Sequence, residues 1–544
     1  MIRGFLSLYR PRYARVIVRL LQDNQYRAWD YLKAYWHTAD FSRASYLHDF
    51  QDTAANRILR RAVAVGMIVQ LLVAAWVAVL WHWEGLSGGS LFALALLVSY
   101  PVVWAHVLAL VAGVRNAIRL LAHPKKLGRS IVCRILEGQV RKLLRRNEVK
   151  IVAVAGSVGK TSTKLAVAKL LECQFRVRFQ NGNYNDRVTV PLVFFGRREP
   201  NILNIFAWLK IFVANARALS RPYPYDVVVV ELGTDHPGSM IEFGYLPVDI
   251  AVVTAVTPEH MEYFKTLDAV AAEELTVFDF ADTVLVNGDA VPAEYLVGRK
   301  FREYSLRSDQ ANYFAAVTDP SLAGQKLRLR LANGHSLSMV SRYVGEPGAS
   351  IVLAAASVAD QLDAEHSEIA KGIANLEPFA GRMQLLNGQK DSVLIDDTYN
   401  ASPVAVEAAL DVLYAQPAKQ RIAILGSMNE LGDYSPAAHK EVGKYCDPKK
   451  LDLVVTIGHD AKKYLAPAAK KAGCTVHTFL SPYEAGDFVL SKLRKGALVL
   501  AEGSQNGVFA EESLKPLLAD PADADKLVRQ SKYWLKKKQQ QFRR

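Results

Sequence analysis

Cysteine is scarce in this 544-residue sequence: Cys133, Cys173, Cys446 and Cys474 stand far apart, with no C-x-x-C pair among them. Such spacing argues against a disulfide framework and a zinc ribbon and leaves the thiols as small buried hydrophobes. Charge is sparse as well, 22% against 51% hydrophobic residues, a high apolar share for a wholly water-solvated chain. Two stretches hold no Asp, Glu, Lys or Arg: "AVAVGMIVQLLVAAWVAVLWHW" (62–83), which ends in a Trp pair, and "LFALALLVSYPVVWAHVLALVAG" (91–113). Each exceeds the roughly 20 apolar residues that cross a hydrocarbon core, so both are read as membrane spans, with buried core helices as the competing reading.

The connector "EGLSGGS" is too short for a domain, so the spans form a helical hairpin. Arg57, Arg60 and Arg61 precede it, and Arg115, Arg119, Lys125, Lys126 and Arg129 follow it. Positive flanks on both outer ends place both termini in the cytoplasm. Inside the second span, Pro101 implies a kink and His106 a helix–helix hydrogen bond rather than a proton relay. About 60 residues precede the first span, too many for a cleaved signal peptide. Their Arg, Tyr and Trp content reads as amphipathic interfacial helices, with a nucleic-acid patch as the rival. The formal charge of +14 gathers in the first 150 residues and the final "KKKQQQFRR"; it is read as facing anionic lipid rather than nucleic acid.

Beyond Asn147, apolar strand patterns alternate with helical ones, the mark of a mostly parallel α/β sheet. In "VAGSVGKTS" a strand ends at Gly156 and a helix starts near Thr161. Gly156, Ser157, Val158 and Gly159 form a turn whose amides can face a phosphate; Lys160 reaches the β/γ-phosphates, and Thr161, which with Ser162 opens the helix, can ligate Mg²⁺. Val154 stands where the standard phosphate-loop expression has its first glycine, so the motif is carried by its strand–turn–helix setting. The strand "YDVVVVELG" runs into Glu231, and "DIAVVTAV" leads through "TPEHMEYF" to His260. Both residues fall at the ligand edge of such a sheet and are candidate Mg²⁺ ligands, with helix cap or surface residue as the alternative.

The segments "GSVGKTSTK", "NYNDRVTVPLVF", "ELGTDHPGSM", "AGRMQLL", "LIDDTYNASPVAVEAAL" and "LGSMNELGDYSPAAHKEVG" together resemble the Mur ligase family over about Val149–Leu518. The likeness is to members that add D-alanyl-D-alanine to a muramoyl tripeptide. It implies ATP-driven amide formation in peptidoglycan precursor synthesis: an acceptor carboxylate takes the γ-phosphoryl group, and an amine displaces phosphate from the acyl-phosphate. It also implies that Lys160 and Thr161 hold the triphosphate, that Glu231 and His260 hold Mg²⁺, and that Asn185 and His236 line the reacting end. Arg382 would reach back to the nucleotide, Asp397, Tyr399, Asn400 and Ser402 would face the interdomain cleft, and Glu430 with His439 would sit near the amine. On pattern alone, Asp396 and Asp397 are equally strand-end caps.

Three departures from the family stand out. Glu274 occupies the place of the carbamylated lysine fourteen positions after the metal histidine, and a carboxylate there is expected to serve as an anionic Mg²⁺ ligand without CO₂. Pro347, Gly348 and Ile351 replace adenine-side residues, and the hairpin stands in place of the uridine-nucleotide-binding domain. The expected architecture is α/β with an N-terminal transmembrane hairpin: a membrane-associated region over 1–147, a central phosphate-loop ATPase domain over 148–378, a Rossmann-like C-terminal domain over 379–522 and a basic tail over 523–544. The expected partners are ATP, Mg²⁺, a muramoyl-peptide acceptor, D-alanyl-D-alanine or a similar amine, and membrane lipid, with the catalytic domains in the cytoplasm. A polyglutamate-synthase-like membrane ligase and a non-catalytic nucleotide-binding scaffold are the rival readings. A lipid-linked-precursor amidase is disfavoured by the scattered cysteines.

Overall fold

Runs of Val, Ile and Ala with no polar interruption form strands covered on both faces, the setting of parallel sheets. The computed structural model describes residues 7–9, 12–38, 41, 54–83, 87–121, 124–505 and 507–542. Residues 84–86 of the expected hairpin connector, the side chains of Trp81 and Trp83, and residues 543–544 of the tail lie outside that description. The chain divides into two compact units, residues 1–131 and 132–544.

In the first unit, Tyr13–Asp23, Ala28–His37, Ala54–Trp83 and Ser87–Leu121 are helices that share one core. The last two are long and apolar enough to cross a membrane, and only 17% and 28% of their most apolar windows are buried. Gly66 admits the Trp104 indole, which a Cβ there would strike, and the Trp104 Nε1–H donates to Gln70 Oε1 at 3.0 Å. That bond and one from Gln70 Nε2–H to Leu96 O at 3.1 Å join the two long helices, whereas the His106 ring meets Val102 O of its own helix at 2.8 Å. The Tyr13–Asp23 helix packs on the long helices. Its apolar face, including Ile17, Val18 and Leu21, is buried in the shared core, and the Tyr13 hydroxyl donates to Pro101 O at 3.0 Å.

The second unit carries two sheets. The first is built from β1 (Lys150–Ala155), β2 (Val177–Arg178), β3 (Val227–Glu231), β4 (Val248–Val253), β5 (Ala281–Asn287), β6 (Arg302–Ser305), β7 (Tyr313–Asp319), β8 (Gln325–Arg330) and β9 (Ser336–Ser341). Its spatial order is β2-β3-β1-β4-β5-β6-β7-β8-β9, parallel as far as β7 and antiparallel from there to β9. The second sheet holds β10 (Gln384–Gly388), β11 (Ser392–Asp397), β12 (Arg421–Gly426), β13 (Leu453–Ile457), β14 (Val476–Phe479) and β15 (Leu498–Glu502) in the order β10-β11-β15-β12-β13-β14. Only β10 runs antiparallel there. Each sheet has a core on both faces, so its strand ends are the places where polar side chains reach a surface.

The C-terminal segment differs from a free basic tail facing lipid. Residues Lys532–Phe542 form a helix, and its Lys538 is fully buried, with Nζ 2.8 Å from Glu511 Oε1 and 2.6 Å from Glu512 Oε1. Two buried acids without a cation would carry a large desolvation cost, so this lysine is held by charge pairing beside the second sheet; the parts of the second unit built on the first and second sheets are its first and second domains.

Candidate functional site

The turn after β1 brings the first group of site residues together. Gly156 and Gly159 have φ of 119° and 85°, a region open to glycine, and a Cβ on Gly156 would lie 2.4 Å from Thr254 Oγ1. The helix Lys160–Leu171 starts there, so its free N–H groups face the cleft that Ser157, Val158, Gly159, Lys160 and Thr161 line. Gly156 and Ser162 are placed behind this lining.

Lys160 Nζ pairs with Glu259 Oε2 at 3.2 Å. Burial works to lower its pKa, but Glu259, Glu274 and Glu231 together hold it above its ordinary value, so the ammonium stays charged. Thr161 Oγ1–H and Asn185 Nδ2–H both donate to Glu231 Oε1, at 3.1 and 3.3 Å, while Lys164 Nζ lies 3.1 Å from Oε2. His260 has the left-handed φ of 49°, which turns its ring among Asp235 and Glu259, each 3.8 Å from Nε2, and Glu430, 3.4 Å from Nδ1.

Across the cleft stand Arg382, Tyr399, Asn400, Ser402 and Glu430 of the second domain. The Arg382 guanidinium lies over the Tyr399 ring, 4.4 Å from its centroid. Behind them, Asp397 and Glu502 are neighbours in register at the ends of β11 and β15. Burial raises Asp397 to about 7 against the pull of Arg382, and Asp396 to about 6. Burial also lifts Glu502 well above its ordinary value, and among the described residues neither of its oxygens has a hydrogen-bond partner. The backbone of this wall is fixed from behind: Arg529 donates to Thr398 O and Tyr399 O, at 2.5 and 2.9 Å, and is itself held by both oxygens of Glu511, at 2.8 and 2.7 Å.

Besides Asp397, which stands behind the wall and not on the cleft, three expected site residues lie elsewhere. His236 stands exposed on its turn, and Asp235 lines the cleft in its place. His439 is fully buried: Nε2 accepts from Met428 N–H at 2.9 Å and Nδ1–H donates to Ser435 O at 2.8 Å, so it holds the loop that carries Glu430 and has no face for a substrate. Burial lowers its pKa, which keeps the ring neutral as those two bonds require. Glu274 is sealed beneath the phosphate loop, where its oxygens accept from Gly156 N–H and Thr234 Oγ1–H at 2.7 Å each. Through these two bonds it braces the loop from below. Glu259, Glu502 and Arg529 escaped sequence reasoning. Glu502 had a visible signal, since "LVLAEGS" ends a strand in a carboxylate as "VVVVELG" does. Arg529 had none.

Among the described residues no three His, Cys, Asp or Glu side chains converge as a preformed metal cage. Mg²⁺ is commonly held by one or two protein oxygens with water and phosphate, and the Thr161 hydroxyl beside the buried Glu231 carboxylate offers that donor set.

A model described as "Mur ligase middle domain" matches residues 154–359, and one described as "Mur ligase, glutamate ligase domain" matches 381–505. The chain belongs to the Mur ligase family. A UDP-N-acetylmuramoyl-tripeptide–D-alanyl-D-alanine ligase of Escherichia coli K12 is 27% identical to this Mur ligase over 317 residues, 57% of this chain and 64% of that protein. The match thus spans less than two thirds of that relative's length. The Bacillus subtilis protein of the same name is 24% identical over 393 residues, 71% of this chain and 79% of its own. The fold is shared with the crystal structure of MurF ligase from Thermotoga maritima in complex with ADP. The TM-score is 0.58 at 20% identity, covering 71% of this chain and 83% of that one.

Proposed function

We propose that this Mur ligase is an ATP-dependent peptide ligase of cell-wall precursor synthesis that joins D-alanyl-D-alanine to a muramoyl-peptide acceptor. One observation carries the reading: a charged Lys160 at a helix N-terminus faces, across a single cleft, the stacked Arg382–Tyr399 pair of the second domain. The same-named relatives, matched over both domains, support the choice of substrates.

In this reading the loop amides and Lys160 hold the β/γ-phosphates. Mg²⁺, held by Thr161 and Glu231 with His260 nearby, would offset phosphoryl charge. Arg382 closes on the nucleotide from the second domain. The acceptor carboxylate attacks the γ-phosphorus and ADP leaves; the amine then attacks the acyl carbon, the C–O bond to phosphate breaks, and the amine loses a proton. Catalysis of this kind needs charge stabilisation and alignment more than a strong base. Glu430, Glu259 and Asp235 around His260 make that corner attractive to the incoming ammonium.

The membrane reading is part of the proposal. The two apolar helices anchor the chain, and the arginine-rich flanks put the catalytic unit on the cytoplasmic side. Domain limits near 148, 379 and 523 are proposed on the same footing. The test is product analysis by mass spectrometry with ATP, Mg²⁺, D-alanyl-D-alanine and either a nucleotide-linked or a lipid-linked muramoyl peptide. The amide product with stoichiometric ADP is expected. No ADP release with either acceptor refutes the ligase reading.

A further inference from the structure

The helix Ile205–Ala218, outside the ligase cleft, is apolar on two faces. Its inner face is fixed. Trp208 is buried with Val132, Cys133 and Leu136 of the preceding helix Pro124–Leu144, and Asn215 Nδ2–H donates to Gln139 Oε1 at 2.9 Å. Gln139 in turn donates to Phe212 O at 2.9 Å, and the Asn204 side chain caps the N-terminus. The helix is therefore clamped, and its other face is held outward.

That outer face carries Ile205, Phe206, Leu209 and Val213, which are 68, 80, 51 and 50% exposed. Spacings of three and four residues align them in one stripe, the pattern that normally faces a core. A contiguous stripe of this size on a soluble surface marks an interaction site. Lys210 and Arg217 follow Phe206 and Val213 at the same spacing, along one edge of the stripe, and both are exposed. The helix has no acidic residue, and residues 197–221 hold five basic residues against Glu199 alone.

We propose that this face docks onto an anionic lipid bilayer, lying in the interface with its apolar residues among the acyl chains and its lysine and arginine at the phosphates. Charge selects this occupant. A protein partner for an apolar helix face calls for no edge of one charge sign, whereas an anionic leaflet attracts a basic edge and lets long basic side chains reach its headgroups. The helix that clamps it begins, in sequence, three residues after the second long apolar helix ends, so a chain anchored by that helix has a bilayer within covalent reach. The inference deepens the membrane reading above, and its test separates the two.

The full chain is placed on vesicles of phosphatidylcholine with or without phosphatidylglycerol. It carries a bimane label at Phe206→Cys in a Cys173→Ser background, with Asn333→Cys in the β8–β9 turn as the control position. A blue shift and quenching by brominated lipid are expected at position 206, not at 333, and only with phosphatidylglycerol. Lys210→Gln and Arg217→Gln should each weaken that partition about fivefold, with turnover in detergent unchanged. A position-206 signal equal to the control, or equal in both vesicle types, overturns the proposal. If the chain stays with vesicles through an alkaline wash while position 206 is silent, the anchor stands and the docking face falls. If it washes off but position 206 responds, the docking face stands without the anchor.

Discussion

Replacing Glu274 separates bracing of the phosphate loop from metal binding. Glu274→Ala leaves two buried donors, Gly156 N–H and Thr234 Oγ1–H, without acceptors. Each stranded group costs about 1–3 kcal/mol, so a loss of about 4 kcal/mol is expected in urea unfolding. Glu274→Gln keeps an oxygen for Gly156 N–H, and the Thr234 hydroxyl can turn to accept from the new amide. Only charge assistance is lost, about 1 kcal/mol, and it is offset because burial already disfavours the carboxylate. The glutamine variant should therefore bind ATP nearly as the parent does and keep the Mg²⁺ concentration for half-maximal turnover. Glu274→Lys strands Gly156 N–H and brings a second ammonium near Lys160, so its ATP affinity should collapse and recover in part with bicarbonate, as carbamylation restores an anion. The assays are calorimetric ATP binding and turnover against Mg²⁺. A tenfold rise in the Mg²⁺ requirement of Glu274→Gln, with stability intact, would refute bracing and restore the ligand role.

Lys160→Ala should remove one phosphate-clamping charge and raise the barrier by about 2.7–4 kcal/mol, read as a fall in kcat with the fold retained by circular dichroism. Arg529→Ala should loosen the Thr398–Tyr399 backbone and raise KM for ATP more than it lowers kcat, and Arg529→Lys should recover part of the loss; equal effects of both variants on unfolding alone would mean a purely structural role. Lys538→Met breaks a fully buried pair and should cost about 3–5 kcal/mol in chemical denaturation. Burial raises Asp397 and Glu502, so their contribution to stability is present below the ordinary carboxylate range and is lost as pH climbs through about 7 for Asp397. Glu502→Gln should accordingly raise the melting temperature at pH 8 and change it little at pH 4.5; a fall at pH 8 would contradict this sign.

What was legible in the sequence follows from which interactions are local. A strand-end residue such as Glu231 announces itself, because an uninterrupted apolar run that stops at a polar residue fixes both strand and edge; His260, seven residues beyond the end of β4, is legible only through the segment that follows that strand. The phosphate loop is visible for the same reason, even with Val154 in the place of a glycine. His439 misled because "SPAAHKEVG" fixes a helix but not which of its faces is turned inward. The bonds of Glu274 were hidden because its partners lie 118 and 40 positions away, a pairing that only folding sets. Arg529 was silent for a related reason, as the carbonyls it holds are about 130 residues upstream.

The clasp of Arg529 and Lys538 on the second domain has a consequence for vectorial synthesis. The wall that begins at Arg382 is not fastened until Lys538 has been made, which at 5–20 residues per second takes roughly 8–30 s. During that interval the nascent first domain has its phosphate loop but lacks a braced opposite wall. The order of synthesis therefore makes the complete cleft a late product of folding.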